Sequence, residues 1–454
     1  MINFVLLLSI VGSIFILFYS IWYLRGSLFA LSSNNPWGIL WYIDVLTILI
    51  PLIVVNYMGI NNVPLFYMAQ PGIELPVTFL VLLVLFSYIT ALGIFSRIFK
   101  LSYHRIHFEK PDIVLKRKII QICIFLTLLG FALLILFHFL GYKHAFATSL
   151  FQNVSVLKIR LLNKYHSRVP SQLASMLPIV GYLLIVFSGY LKKNSLKYSL
   201  FFLFIAEFFL SAQGDKAPII MGFFVWILTA NKLSFLGIFS PKKFLVFSFY
   251  FIGVIFLLYY IVYFQIPDLT LDKFFNYLFF RLGVGQMAGL YETYSLFIKD
   301  YPLEREFYWH AIPFAKLFVN YVDYQKFLMM ITEGYEYSEM GVKNTLFIAE
   351  AYAIGGVPLA LISPIILGFT YAAGLTLMIR LSRLGFGKNF RQVIVPVYII
   401  TNSIAGGFSG FFLFKGAILM ALQLSVIFVL FYLFSLLNSK SFVIRIRRSV
   451  SVKR

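Results

Sequence analysis

The chain has 454 residues, 61% hydrophobic and only 12% charged, with a mean hydropathy of +0.89. A soluble domain is about a quarter charged, so a water-soluble globular enzyme is excluded. The net charge of +21 would suggest nucleic acid in a soluble protein, but in a membrane protein it reports sidedness first, and no nucleic-acid partner is expected.

The apolar residues come in runs of roughly 20, the length that crosses a hydrocarbon core of about 30 Å. The fold expected is all-α, a polytopic membrane helix bundle with about eleven transmembrane helices. In chain order the runs are 2–23, 38–58, 76–96, 119–140, 175–191, 198–212, 217–230, 244–265, 346–379, 392–405 and 417–437. Nothing basic precedes the first run and no small-residue cleavage site follows it, so a retained helix is expected rather than a signal peptide. The single cysteine, Cys123, sits in the fourth run and excludes an intramolecular disulfide.

With sides alternated and the basic segment Arg97–Lys118 placed in the cytoplasm, 24 Lys and Arg fall inside and 14 outside. The short loops obey the positive-inside rule, with the N-terminus outside and the C-terminus inside. Two outer segments, 141–174 and 266–345, exceed what a helix connection needs. There is no internal repeat, so one membrane domain, 1–454, with two outer loops is the economical organisation.

The first loop carries Lys143, Lys158, Arg160, Lys164 and Arg168 without one Asp or Glu. Arg160, Lys164 and Arg168 are spaced i, i+4, i+8, so a helix ending before Pro170 would line them along one stripe. Such a helix either holds phosphate oxygens, for which Arg is suited, or faces solvent and lipid headgroups. The second loop has 7 basic and 10 acidic residues, and 19 of its 80 are aromatic. Helices packed back on the bundle are expected there, with Tyr291, Tyr308, Trp309, Tyr321 and Tyr324 either stacking on sugar faces or filling an interfacial belt.

Asp44, Glu207 and Glu350 fall within or at the ends of apolar runs, where an ionised group costs about 2.5–3.5 kcal/mol and needs a partner. Glu207 is close to the turn Ser211–Pro218, in which Asp215 and Lys216 form an ion pair or Lys216 points at an anionic ligand. Arg281 follows the apolar run Phe274–Phe280 and needs Glu292, Glu350 or a phosphate as counter-charge. His310 is the only histidine of the second loop, either structural or titrating in a useful range. Gly283–Gly289 lacks the strand and spacing of a dinucleotide loop and reads as a helix break. There is no Walker-type run, and the six scattered histidines indicate no metal site.

Taken together, Gly214-Asp215-Lys216-Ala217-Pro218-Ile219-Ile220, then Arg281, then Asn344-Thr345 ahead of Glu350-Ala351-Tyr352-Ala353-Ile354-Gly355-Gly356 resemble the Wzy-type O-antigen and capsule repeat-unit polymerases of bacteria. The match covers about residues 200–370 through short, loose motifs, and Lys216 stands where members often have Arg. The resemblance implies a GT-C-like membrane glycosyltransferase of the bacterial cytoplasmic membrane, with its site facing outward. Donor and acceptor would be undecaprenyl-pyrophosphate-linked oligosaccharides, and the partners membrane lipid, chain-length regulators and flippases. No cofactor or metal is implied. The leaving pyrophosphate would be held by Arg160, Lys164, Arg168, Lys216 and Arg281. Glu350, Glu292 and His310 are the candidate bases, Glu350 the first choice, and Tyr291, Tyr308 and Trp309 the candidate sugar platforms. An O-antigen ligase and a lipid-linked oligosaccharide flippase are the alternatives. The flippase is disfavoured by the 80-residue outer loop and the missing repeat.

Overall fold

The computed structural model describes residues 2–102 except 32–34 and 64–65, 113–231 except 153, 155, 193 and 194, 269–299 except 286, 323–334, 345–451 except 405 and 406, and isolated positions within 252–259 and 309–319. Among these residues it is all-helical, with one isolated bridge, Ser27 to Ser102. Eight helices are long and apolar enough to cross a membrane. Contact clustering gives two compact units interleaved in sequence, one of Met1–Ile106, Leu233–Thr376 and Tyr398–Ala417, the other of His107–Lys232, Leu377–Val397 and Ile418–Arg454.

The first unit opens with α1 (Ile2–Tyr23), α2 (Pro36–Met58) and α3 (Glu74–Ile98). All three pack together, and α1 meets α3 through Tyr19, whose ring lies 4.6 Å from that of Phe86 and whose hydroxyl is 2.9 Å from Thr90 Oγ1. The C-terminal ends of α1 and α3 are joined by the Ser27–Ser102 bridge and by Leu28 N–H donating to Leu101 O at 2.9 Å. The two helices therefore run in the same direction, as alternate spans must.

The second unit is built on α4 (Ile113–Phe139), α5 (Ala145–Gln152), α6 (Val156–His166), α7 (Met176–Leu191), α8 (Leu196–Leu210) and α9 (Lys216–Asn231). Helix α7 is central, packed on α4, α8 and α9, and its span is 83% buried, against 28% for α1. Small residues permit the close approach: a Cβ at Gly181 would overlap Leu210, and one at Gly189 would overlap Thr229.

The segment 266–345 contributes α10 (Leu271–Gly283), α11 (Ala288–Lys299) and α12 (Tyr324–Glu333). Helix α10 packs on α2 and α11 on α12, so these helices do fold back on the first unit. The glycines at 283–289 separate α10 from α11, as a helix break should. The chain then forms α13 (Leu346–Gly385), α14 (Ile394–Thr401) and α15 (Lys415–Ser451).

Four differences from the hydropathy reading have physical causes. The run 392–405 does not form a span: α14 has only eight residues, about 12 Å of helix, and beyond it the N–H groups of Ile404, Phe408 and Ser409 go to the buried carboxylates of Asp44 and Glu350 instead of a helical ladder. The run 346–379 is helical but interrupted at Gly355 (φ −144°) and Gly356 (φ 68°, ψ −162°), the latter a conformation that glycine alone adopts readily. The run 217–230 is helical but shorter than a full span, and most of 244–265 lies outside the described residues. Finally, α6 stops at His166, so Arg168 is not on its stripe. Arg168 N–H instead donates to Leu140 O at 2.9 Å, and Val169 precedes a proline, which disfavours helix.

Candidate functional site

In the first unit, buried polar groups gather where the outer-loop helices meet the interrupted helices. Helix α11 turns Glu292, Thr293 and Ser295 inward, all nearly without exposure. Glu292 Oε1 accepts Tyr67 N–H at 3.1 Å and Ser295 Oγ accepts Gln70 N–H at 2.9 Å, which ties the 66–70 connection to α11. Thr293 Oγ1 lies 2.6 Å from Tyr324 Oη at the start of α12. Asp323 caps that helix by accepting Gln325 N–H at 3.0 Å, and Tyr324, Gln325 and Lys326 are buried.

Glu350, on the first turns of α13, is fully buried and accepts the backbone N–H groups of Phe408, in a short bond, and Ser409, at 2.9 Å. These donors converge because Gly407 adopts φ 115°. A Cβ at Gly407 would press on both the Glu350 carboxylate and the Gln325 amide. Gln325 Nε2 also reaches Thr345 Oγ1 at 3.4 Å, and Lys415, where α15 begins, is in electrostatic reach of Glu350 and Asp323. Tyr324 feels both Glu350 and Glu292, and burial pushes its phenol well above the ordinary range. Two of the three candidate bases thus belong to one cluster, linked through Tyr324.

A second carboxylate holds the same unwound segment. Asp44, just over two turns into α2, accepts the Ser403 hydroxyl in a short bond and Ile404 N–H at 2.9 Å. Non-helical backbone at the depth of a span persists only where protein or a wet cavity satisfies it. Here two acids from two helices do so.

In the second unit, α6 lies over the turn that precedes α9. Gly214 adopts φ 75°, and a Cβ there would overlap Val156 and Ala145 and crowd the Arg160 side chain. Arg160 pairs with Asp215 at 2.5 Å, both about 40% exposed. The basic helix and the Gly-Asp-Lys turn, some fifty residues apart in sequence, therefore form one structure. Tyr142 faces this pair: its hydroxyl is 3.4 Å from Ala212 O, and burial, reinforced by Asp215 and opposed by Arg160, pushes its phenol up. The carboxylate oxygens of Glu207, at the end of α8, are buried and accept no hydrogen bond among the described residues.

Of the remaining candidates, Lys164 is exposed on α6, and Lys216 and Arg281 lie at the first residue of α9 and near the end of α10, their side chains outside the described residues. Asp215, one reading of which is a partner for Lys216, pairs with Arg160. Trp309 is 42% exposed, as a stacking platform requires, whereas Tyr308, Tyr321 and His310 lie outside the described residues. Tyr291 is fully buried with its ring 5.1 Å from Phe66 and offers no face to a sugar in this structure. Tyr324, singled out for stacking, is buried as a hydrogen-bonding phenol instead. Sequence reasoning missed the 403–409 donors, since backbone N–H groups carry no residue-type signal. Only the cluster of Gly406, Gly407 and Gly410 could have flagged a break there.

Comparison with protein-family models, with characterised proteins and with solved structures finds no match to this chain. Function is therefore argued from the site.

Proposed function

We propose that the chain is a multi-pass membrane glycosyltransferase that joins polyprenyl-pyrophosphate-linked oligosaccharide units into a surface polysaccharide at the outer face of the bacterial cytoplasmic membrane. The observation that carries this reading is the packing of basic helix α6 on the Gly214–Lys216 turn. It joins two cationic segments of an apolar protein into one charged face, and a membrane-borne pyrophosphate is the ligand such a face suits. Arg160 is held there by Asp215 and would exchange this exposed partner for phosphate oxygens. Exposed pairs are worth under about 1 kcal/mol, so the exchange costs little. The N-terminus of α9, which begins at Lys216, adds oriented N–H groups to the same face.

In the reaction, an acceptor sugar hydroxyl attacks the anomeric carbon of the donor. The carbon–oxygen bond to pyrophosphate breaks with its electron pair on the leaving group, and the hydroxyl proton passes to a base. Glu350 is the first candidate for that base, with Glu292 and His310 as the other two. The backbone donors on Glu350 fix its position, which general-base chemistry needs as much as a suitable proton affinity.

One observation favours a second reading. Interrupted helices whose unwound backbone meets buried acids recur in transporters, and the backbone of Ile404, Phe408 and Ser409, which donates to Asp44 and Glu350, has that form. A flippase for lipid-linked oligosaccharide would use them as its moving parts. In a strain lacking the chromosomal gene, Lys216→Ala, Arg281→Ala and Glu350→Gln proteins that still insert in the membrane should leave single repeats on the surface glycan instead of a ladder. Long ladders from all three would refute the polymerase. Accumulation of lipid-linked repeats on the inner leaflet, with none outside, would favour the transporter.

A further inference from the structure

The paired ends of α1 and α3 enclose a cavity of about 350 Å³ lined by Arg25, Ser27, Ser96, Arg97, Lys100 and Ser102 among others. Among the described residues, no carboxylate lines it. We infer that this cavity is a phosphate-binding site, distinct from the α6–α9 face and independent of the polymerase reading.

Each cation is placed there by backbone geometry. Helix α3 ends in a Schellman turn, with Leu101 N–H donating to Ser96 O at 2.8 Å and Lys100 N–H to Arg97 O at 3.1 Å. The left-handed position of that motif normally holds glycine, but here it holds Lys100, at φ 57°. Helix α1 ends in a turn of its own at Gly26, φ 81°, which leaves Arg25 exposed beside Lys100. Arg97 donates from Nη2 to Tyr23 O at 3.0 Å and lies 4.5 Å over the Tyr23 ring. This ring can lie so close because residue 93 is glycine, a Cβ there overlapping it. One of the five guanidinium N–H groups is thus used and the fork is held still.

Ser96 supplies a second observation. It is 1% exposed, and its hydroxyl has no hydrogen-bond partner among the described residues although it lines the same cavity. A buried hydroxyl left unpaired is costly, and rotation of the Ser96 hydroxyl toward the cavity would let a phosphate oxygen accept from it. Trp22 and Ile98, 70% and 61% exposed on the flanking helix ends, mark the level of the membrane boundary. The ligand is therefore a phosphate group, borne by an anionic lipid headgroup or free in solution. Cations that served only to offset the negative ends of the two helices would need neither the cavity nor the serine.

The test uses the full-length protein in nanodiscs and the rate at which an amine reagent modifies Lys100, read by peptide mass spectrometry against exposed Lys197 as reference. In phosphatidylcholine alone Lys100 should react freely. Protection of at least fivefold on adding phosphatidylglycerol to the disc identifies a headgroup ligand, and the same protection by inorganic phosphate in phosphatidylcholine discs identifies a soluble one. No protection in either arm overturns the site. The combined variant Arg25→Gln and Lys100→Gly suits the turn's geometry and should fold. In native mass spectrometry it should retain phosphatidylglycerol, or inorganic phosphate if that is the ligand, about tenfold less strongly for each charged contact removed. Retention equal to the parent protein would also overturn the proposal.

Discussion

Gly407 and Gly410 lie three residues apart in the same unwound segment but in opposite environments, and the pair isolates the Glu350 contact. At Gly407 an alanine would have to hold φ 115° while its Cβ pressed on the Glu350 carboxylate and the Gln325 amide. The backbone term costs about 1–3 kcal/mol. Displacing the carboxylate weakens two charge-assisted bonds, from Phe408 and Ser409, each worth about 1.5–3 kcal/mol. If the side chains relax enough to keep one of them, Gly407→Ala should destabilise by about 3–5 kcal/mol. At Gly410 nothing lies within 4 Å of the new Cβ and the backbone is not left-handed. Gly410→Ala should therefore stay within about 1 kcal/mol of the parent, on the favourable side if unfolded-chain entropy dominates. Thermal unfolding of detergent-purified protein, followed by the monodisperse fraction surviving each temperature, should show a midpoint lowered by several degrees for the first variant and unchanged for the second. Equal midpoints for the two variants would refute the claim that Glu350 is seated by this loop.

Asp44→Ala should lower the same midpoint, because Ser403 and Ile404 would lose their buried acceptor, at about 2–5 kcal/mol for two unmet donors. Asp44→Asn, which keeps one acceptor, should lose about half as much, and an Asn variant as damaged as Ala would count against the hydrogen-bond account. Arg160→Gln removes a pair that is about 40% exposed, so its midpoint should move by less than about 1 kcal/mol equivalent while glycan ladders shorten; a full ladder would remove Arg160 from the site. Burial lowers the pKa of His144 below the ordinary imidazole value, while its ring accepts Ala147 N–H at 3.2 Å and meets Phe208 O at 2.9 Å. The unfolded chain then binds a proton more readily below pH ~6.5. Stability should be at its plateau above that pH and fall as the pH drops below about 6.5. His144→Gln should lose that part of the slope, and an unchanged slope would exclude His144 as its source.

The fold class was legible because crossing a bilayer imposes length and hydropathy on each helix separately. Seven of the eight candidate spans coincide with a hydropathy run to within a few residues, and the eighth, in α13, extends six residues past its run. The acids within the runs were legible too, since Asp44, Glu207 and Glu350 are conspicuous against apolar neighbours. So was the basic helix, although its true end at His166 depends on a bond to Leu140 far away in sequence. The partners of these residues were not legible. Glu350 is seated by the backbone of 408–409, Asp44 by Ser403 and Ile404, and Asp215 by Arg160, each a meeting across long sequence separation.

What the sequence alone determined is therefore that the chain lives in a membrane and roughly where it crosses, because these depend on local composition. Tertiary structure decided which apolar helix faces lipid and which the interior: α1 and α7 read alike in hydropathy, yet their spans are 28% and 83% buried. It also decided that 392–405 is a short helix leading into an unwound strap. A backbone N–H is the same in every residue but proline, so residue type does not mark which of them leave the helical ladder for a carboxylate on another helix.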